Sequence, residues 1–186
     1  MYLVSWLKNY IKHPLVMGSI LPTSGSASKL MAKDLVAPEA NLVLELGSGT
    51  GAITQALLRK GVLEENLVLV EINQEFCNIL ERKYPKATVL CMGALDFFKN
   101  DYKFSNIKFD VIVSGLPLVS MGTSQSELIC DLSIRHLNCR GHFVQVTYFL
   151  KCPFPKTIIY KYKLIAKLSG FTLLNFPPAF VWDIRT

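Results

Sequence analysis

The stretch that decides the fold runs from Leu42 to Ala52 and reads Leu-Val-Leu-Glu-Leu-Gly-Ser-Gly-Thr-Gly-Ala. Its first half, Leu42 to Leu46, is apolar except for Glu45, which suits a short strand that is buried on both faces. Glycines at 47, 49 and 51 then permit a tight turn and let backbone N–H groups approach a ligand closely. A helical pattern resumes at Ile53. The stretch therefore predicts a strand, a glycine loop and a helix, which together form a nucleotide-binding unit.

Two carboxylates bracket this loop and discriminate between ligands. Glu45 lies two residues before the first glycine, where it would repel a pyrophosphate and attract a sulfonium or an amino group. Glu71 ends the next apolar run, twenty residues after Gly51, where a ribose diol is usually held. S-adenosylmethionine carries both positive charges and no phosphate. The acids therefore favour it over NAD, which the glycine spacing would also permit, and a glycine turn of purely structural use is the alternative.

The length and composition are those of one folded domain. A chain of 186 residues with 51% hydrophobic and 18% charged residues can bury a sizeable core and is not a disordered protein. Mean hydropathy is +0.32, but no uncharged run would persist as a spanning helix, and the amino terminus lacks a signal-peptide pattern. The five scattered cysteines favour a reduced, cytosolic compartment. Cys139 and His142 have metal-ligand spacing without a second pair, so no metal site is predicted.

The net charge of +6 is concentrated at the two ends of the chain. Residues 41–139 carry nine basic and eleven acidic side chains, whereas residues 140–186 carry seven basic and one acidic, and residues 1–40 carry four and two. Basic ends suit an anionic partner, either a membrane surface or nucleic acid. Solvated lysines that merely aid solubility are the alternative.

The amino terminus predicts an amphipathic helix. Its apolar face is formed by Leu3, Leu7, Tyr10 and Ile11. Trp6 borders this face, and tryptophan beside lysine suits the headgroup layer of a bilayer. Packing of the same face on the domain is the alternative. A second helix is predicted from Ser24 or Ser26 to about Val36, so residues 1–40 form a helical cover that precedes a domain of residues 41–186.

Strands and helices alternate through the rest of the chain. Further strands are predicted at residues 67–71, 88–91, 110–114 and 142–148, with helices at about 52–60, 74–83 and 125–137, and the tail has a hairpin-like end. Such alternation implies right-handed crossovers and a mainly parallel sheet with helices on both faces. The predicted fold class is therefore α/β and doubly wound.

The glycine loop and its first acid resemble a motif of a known family. Residues 45–51, Glu-Leu-Gly-Ser-Gly-Thr-Gly, resemble the first motif of the class I, Rossmann-like, S-adenosylmethionine-dependent methyltransferases. The resemblance implies a seven-stranded sheet with the last strand antiparallel and S-adenosylmethionine as the cofactor. It assigns cofactor contacts to Glu45, Leu46, Gly47, Ser48, Gly49, Gly51, Glu71, Ile72, Gly93, Ala94, Leu95 and Ser114.

The chain is also similar to the rRNA adenine dimethyltransferases, with two departures. These enzymes carry Gly-Asp-Ala-Leu after the third strand, and here Gly93 takes the aspartate's place, which leaves Asp96 or a backbone carbonyl to reach the cofactor's adenine amino group. Enzymes that methylate exocyclic base amines carry Asn-x-Pro-Tyr after the fourth strand, where the ring stacks on the flipped base. Gly115 and Leu118 occupy the asparagine and tyrosine positions. The smaller, apolar pocket suits an aliphatic head group or lipid, bound by Gly115, Leu116, Pro117 and Leu118.

Several segments resemble the bacterial phospholipid N-methyltransferases. They are Ser-Gly-Leu-Pro-Leu at 114–118, the amino-terminal Leu-Lys-Asn-Tyr-Ile-Lys-His-Pro, Phe-Val-Gln-Val-Thr-Tyr at 143–148 and the tail at 176–182. The resemblance implies methyl transfer to the amine of phosphatidylethanolamine and its partly methylated products, by a protein peripheral to the inner membrane surface.

The reaction needs an aligned, neutral amine more than a strong base. Tyr148 and Ser114 are the candidates to receive that amine or to relay its proton, with Tyr148 as plain packing the alternative. His136 is interpreted as structural or surface, and His13 lies beside the entry loop as a further candidate. An RNA base methyltransferase and a non-catalytic binding module stay open as alternative functions.

Overall fold

The computed structural model of the chain describes residues 25–33, 42–100, 104, 106–175 and 177–185. One sheet contains seven strands: β1 Val43–Leu46, β2 Leu67–Glu71, β3 Thr88–Cys91, β4 Phe109–Ser114, β5 Leu137–Thr147, β6 Ile165–Thr172 and β7 Ala179–Arg185. The described helices are α1 Gly25–Met31, α2 Ala52–Arg59, α3 Gln74–Lys83, α4 Ala94–Asn100, α5 Thr123–Arg135 and α6 Lys156–Tyr162, with a 3₁₀ turn at Glu64–Asn66. The predicted amino-terminal helix, with Trp6 and His13, lies outside the described residues.

The strand order β3-β2-β1-β4-β5-β7-β6 defines where a ligand can bind. Strands β1 to β5 are parallel, and the chain turns to opposite sides of β1 to form β2 and β4. Strand β7 runs antiparallel to β5 and β6, as predicted for the last strand. Ligands of such sheets bind beyond the carboxyl ends of the strands at this switch point. The β6–β7 turn lies at the same edge, because Phe180 pairs with Thr147 at the end of β5.

The sheet is covered on both faces, which explains why its strands read as nearly continuous apolar runs. One face packs against α1 and α2, and its core includes Val43, Leu69, Val113, Val181, Ile53 and Leu57. The other face packs against α4, α5 and α6, and its core includes Leu44, Ile112, Phe143, Phe97, Ile129 and Ile158. None of the helices in the described ranges is long and apolar enough to cross a bilayer.

The alternation predicted from the sequence is confirmed, with three differences. Helices α4 and α6 were not predicted, because each has only seven residues and is too short for a clear periodic pattern. Strand β5 begins at Leu137 and not at 142, since Phe109 pairs with Leu137 across an irregularity in β4. Helix α1 ends at Met31 and not near residue 36. Directly after Met31 the Lys33 N–H bonds to Leu30 O, which closes a tighter turn.

Candidate functional site

The loop between β1 and α2 requires glycine at three positions. Gly47, Gly49 and Gly51 have φ values of +73°, +55° and +84°, a left-handed conformation that residues with a Cβ rarely adopt. The Gly47 N–H donates to Val70 O at 2.8 Å and ties the loop to β2. A Cβ at position 51 would also lie 2.6 Å from the Tyr84 ring. The loop thus presents backbone without side chains at the switch point.

Glu45 is fully buried between β1 and α2. Its Oε2 accepts a hydrogen bond from Thr54 Oγ1 at 2.7 Å, whereas its Oε1 has no partner among the described residues. Burial, opposed by the hydrogen bond from Thr54, raises the pKa of the Glu45 carboxyl from 4.5 to about 8. The carboxyl is therefore largely protonated at neutral pH, and a cation bound beside it would favour the ionised form.

Glu71 closes the other side of the loop from the end of β2. Its Oε2 accepts a hydrogen bond from Gly49 N–H at 2.8 Å and its Oε1 accepts one from Asn73 N–H at 2.9 Å. A carboxylate oxygen has two lone pairs, so each oxygen can still accept a bond from a hydroxyl. Ser48 Oγ donates to Glu45 O at 3.3 Å between the two acids. The structure thus brings both acids to opposite sides of one glycine loop.

The segment after β3 places a carboxylate beside Gly93. A Cβ at this position would lie 2.8 Å from Asp96 Oδ2 and 3.8 Å from Ile72 Cδ1. Asp96 is in the first turn of α4, while Ile72 is 63% exposed after β2. Ala94 is buried and Leu95 half-buried in the same turn. Asp96 therefore lies next to the position that an aspartate side chain would occupy in the adenine dimethyltransferases.

The loop after β4 is held from beneath by buried polar groups. Ser114 is fully buried, and its Oγ accepts a hydrogen bond from Leu116 N–H at 3.3 Å. Gln145 of β5 donates from Nε2 to Leu116 O at 2.9 Å. A Cβ at Gly115 would lie 2.9 Å from Gly47 O, so this loop and the glycine loop are in direct backbone contact.

The structure separates the four predicted substrate positions. Leu118 is 3% exposed and packs in the core, whereas Leu116 and Pro117 are only partly buried. Ser114 lies under the loop with its hydroxyl engaged by backbone. The open edge of this loop is therefore formed by Gly115, Leu116 and Pro117, and neither Ser114 nor Leu118 presents its side chain there.

Tyr148 follows β5 at the same edge of the sheet. It forms a hydrogen bond with Asn175 in the turn between β6 and β7, and Asn175 Nδ2 also donates to Pro177 O at 2.8 Å. Burial raises the pKa of the Tyr148 hydroxyl, and the Asn175 bond opposes this shift. The hydroxyl stays protonated at neutral pH, so it can donate or accept a hydrogen bond but cannot act as a base.

The histidines of the described chain lie away from this edge. His136 follows α5, with Nδ1 2.8 Å from Leu132 O and its ring centroid 5.0 Å from that of Phe98. These are packing contacts, and no catalytic role is assigned to His136. Cys139 and His142 both lie on β5, and the described residues contain no cluster of three metal-ligating side chains.

Four residues at this edge were not assigned to the site from sequence: Thr54, Tyr84, Gln145 and Asn175. Gln145 could have been found, because a glutamine inside an apolar strand needs a buried hydrogen-bond partner. Tyr84 donates from its hydroxyl to Gly51 O at 3.0 Å, a partner 33 positions away. Neither Tyr84 nor Asn175 has a local signal for these contacts, since only the fold brings Gly51 close to Tyr84 and Tyr148 close to Asn175.

Together, the sheet order, the glycine loop and its two acids define the class of S-adenosylmethionine-dependent methyltransferases. The family described as "Methyltransferase domain" matches residues 43–141. The chain belongs to this family and is a class I S-adenosylmethionine-dependent methyltransferase.

Individual relatives agree with this class. The chain is 34% identical over 113 residues to a ribosomal RNA small subunit methyltransferase A of Hydrogenobaculum sp., a match that covers 61% of this chain and 39% of that protein. It is 23% identical over 183 residues to an ornithine lipid N-methyltransferase of Singulisphaera acidiphila, covering 97% of this chain and 94% of the relative. A magnesium protoporphyrin IX methyltransferase from Synechocystis with bound S-adenosylmethionine has the same fold, with a TM-score of 0.64, 13% identity and coverage of 86% and 76%.

The residues present fit the cofactor. Glu45 offers a buried acceptor without a partner in the described chain, which suits a positively charged amino or sulfonium group. Glu71 can accept ribose hydroxyls, and Ile72 and Asp96, which lie on either side of Gly93, are the residues that would contact an adenine ring. When bound, S-adenosylmethionine supplies an electrophilic methyl group on a sulfonium.

Proposed function

We propose that this methyltransferase acts on the amine of a membrane lipid, with phosphatidylethanolamine and its partly methylated products as substrates. The loop after β4 carries this proposal. Because a Cβ at Gly115 would lie 2.9 Å from Gly47 O, the backbone contact leaves no room there for an asparagine amide. Leu118 packs in the core where a base methyltransferase presents a stacking ring. Both elements that hold a planar base amine are therefore absent.

The relatives support a lipid over a nucleic acid. The ornithine lipid N-methyltransferase aligns with 97% of this chain and 94% of its own length, so the similarity includes the segments on both sides of the family match. The rRNA methyltransferase is matched over only 39% of its length. The alignment with the lipid methyltransferase runs over 183 residues and so includes the segments after β5. The alignment with the rRNA methyltransferase runs over 113 residues.

The residues at the edge can position a lipid amine. Tyr148 offers a neutral hydroxyl that can accept a hydrogen bond from the amine, and Asn175 orients that hydroxyl. The partly exposed Leu116 and Pro117 offer apolar surface on which a head group loses water. The ammonium form of the amine must first release a proton to solvent. Alignment and removal of water then supply most of the acceleration, since the neutral amine is itself a good nucleophile.

The proposal also locates the protein at the cytoplasmic face of a membrane, held by anionic lipid. The basic ends of the chain and the amphipathic pattern of residues 1–12 support this location.

Incubation of the protein with S-adenosylmethionine labelled in the methyl group tests the substrate class. Separate reactions contain phosphatidylethanolamine vesicles, ornithine lipid vesicles or rRNA. We expect label in phosphatidylethanolamine, in up to three methylated products. Label only in ornithine lipid would support a lipid amine as the substrate but would overturn phosphatidylethanolamine as that lipid. Label only in RNA would overturn the proposal as a whole. Donor binding without label in any of the three would overturn the proposed substrates and favour a non-catalytic binding module.

A further inference from the structure

Exposed apolar side chains concentrate at the edge of the sheet that carries the site. Among the described residues, six of the ten exposed large apolar side chains lie at or near the carboxyl ends of the parallel strands or in the β6–β7 turn: Ile72, Val119, Leu150, Phe171, Leu173 and Leu174. Single exposed apolar residues are ordinary, but a concentration at one edge marks an interaction surface.

Four of these residues form what we call the tip patch: Leu150, Phe171, Leu173 and Leu174. They are 65%, 58%, 73% and 83% exposed, respectively. Phe171 pairs with Phe180 on β7, with ring centroids 6.1 Å apart, and Phe180 pairs with Thr147 at the end of β5. Leu150 follows three residues after Thr147. Register and connectivity therefore bring the end of β5 and the β6–β7 turn together at one corner.

The tip patch adjoins the proposed amine site. Leu174 directly precedes Asn175, which is 6% exposed and forms the hydrogen bond with Tyr148. The leucines of the turn are thus anchored at their base by a buried polar contact, while their own side chains project outward. A turn that is fixed in this way can insert apolar side chains without losing its shape.

Two exposed lysines lie close in sequence to the tip patch. Residues 132–182 contain seven lysines and arginines and no aspartate or glutamate, and two of the seven, Arg135 and Lys161, pair with Asp131. Lys151 directly follows Leu150 and Lys156 begins α6, and both are exposed. Glu127 of α5 reaches the first turn of α6, where its Oε1 accepts a hydrogen bond from Thr157 Oγ1 at 2.7 Å. Protruding leucines beside lysines suit an anionic bilayer, which takes up both at its headgroup layer.

We infer that the tip patch, with Lys151 and Lys156, docks this edge of the sheet on an anionic bilayer and so brings a lipid amine to Tyr148. The inference rests on the proposed lipid function and adds to it a contact in the described fold that is separate from residues 1–12. A lipid then needs to rise only partly out of the membrane, because Tyr148 adjoins the surface that contacts it.

Sedimentation with vesicles of equal parts phosphatidylglycerol and phosphatidylethanolamine tests the surface. In the full chain, the double variant Leu173→Ser, Leu174→Ser should bind these vesicles about tenfold or more weakly, since two apolar side chains no longer enter the bilayer. Ile165→Ser is the matched control, because Ile165 is 68% exposed on the same strand as Phe171 but at the opposite edge. Its vesicle binding should stay unchanged, and donor binding should stay unchanged in both variants.

The charge of the surface is tested separately. Lys151→Glu should weaken binding to the same vesicles, and the loss should shrink in high salt, whereas Lys167→Glu on β6 should bind as the unaltered protein does. Full binding by both the double leucine variant and Lys151→Glu would overturn the inference.

Other occupants of the tip patch give different results. If a second copy of the chain covers the patch, the double leucine variant should have a lower mass by light scattering than the unaltered protein, with vesicle binding intact. If residues 1–24 cover the patch, that variant should melt at a lower temperature, again with vesicle binding intact. Either outcome would overturn the inference that a bilayer occupies the tip patch. Failure of the proposed function is distinct, because it leaves vesicle binding dependent on the leucines while no lipid is methylated.

Discussion

At the scale of single residues, we expect Glu45 to link donor binding to pH. Burial raises the pKa of its carboxyl to about 8, so the folded protein holds a proton that the unfolded chain loses near its ordinary value of 4.5. The stability from this proton is complete below the unfolded pKa and is lost as the pH rises through the folded one. Binding of a cationic donor should instead favour the ionised carboxylate.

Glu45→Gln should therefore change stability and donor binding in opposite directions. The variant cannot ionise, so its melting temperature should fall less than that of the unaltered protein between about pH 6 and pH 9. Its dissociation constant for S-adenosylmethionine should rise about tenfold or more, since the charge-assisted bond is lost. Calorimetry across the pH range measures both quantities. The exposed Glu75→Gln is the control, and equal donor affinity in both variants would contradict a role for Glu45.

A variant of Tyr148 tests whether this residue positions the substrate amine. Tyr148→Phe keeps the ring and removes the hydroxyl that bonds with Asn175. We expect kcat with phosphatidylethanolamine to fall about 10- to 100-fold, as for loss of one positioning hydrogen bond, with donor affinity unchanged. Tyr160→Phe is the control, because Tyr160 is 77% exposed on α6. Normal turnover by the Tyr148 variant would leave the residue as packing only.

At the scale of elements, the glycine loop is the segment least able to change. Gly51→Ala places a Cβ at a φ of +84° and 2.6 Å from the Tyr84 ring. We expect a loss of about 1–3 kcal/mol of stability together with weaker donor binding. Gly25→Ala is the control, since a Cβ there meets no atom of the described residues within 4 Å. Denaturant unfolding compares the two, and similar midpoints would show that the loop tolerates a side chain.

At the scale of the whole molecule, membrane binding should combine two contacts. Deletion of residues 1–12 should weaken sedimentation with anionic vesicles while circular dichroism and donor affinity stay unchanged. Removal of both this segment and the tip-patch leucines should weaken binding by more than either change alone, because joined contacts reinforce one another. Unchanged sedimentation after the deletion would assign membrane binding to the described fold alone.

Local sequence was sufficient for most of the fold. Strands such as β2 and helices such as α3 occur where periodicity predicted them, because long apolar runs and clear helical faces report burial directly. The short helices α4 and α6 were not predicted, and β5 was predicted to begin at residue 142 and not at Leu137. Their bounds depend on pairing across the sheet and on packing, which a local window does not contain.

The candidate site divides in the same way. Glu45, Glu71 and the three glycines could be identified from spacing, because a turn and its flanking charges are encoded within thirty residues. The sequence also indicated that the base-holding residues after β4 are missing. It could not indicate that Gly115 contacts Gly47, or that Gln145 supports the loop from a neighbouring strand.

By itself, the sequence determined the class of fold, the cofactor and the place of the glycine loop, since these depend on residue types at short separations. Only the tertiary structure decided which oxygen of Glu45 lacks a partner among the described residues, which of the predicted substrate residues face the open edge, and that Tyr148, Asn175 and the tip patch share one corner. The physical reason is that burial and polar partnership arise between segments distant in the chain, and the antiparallel return of β7 alone brings the β6–β7 turn to the carboxyl end of β5.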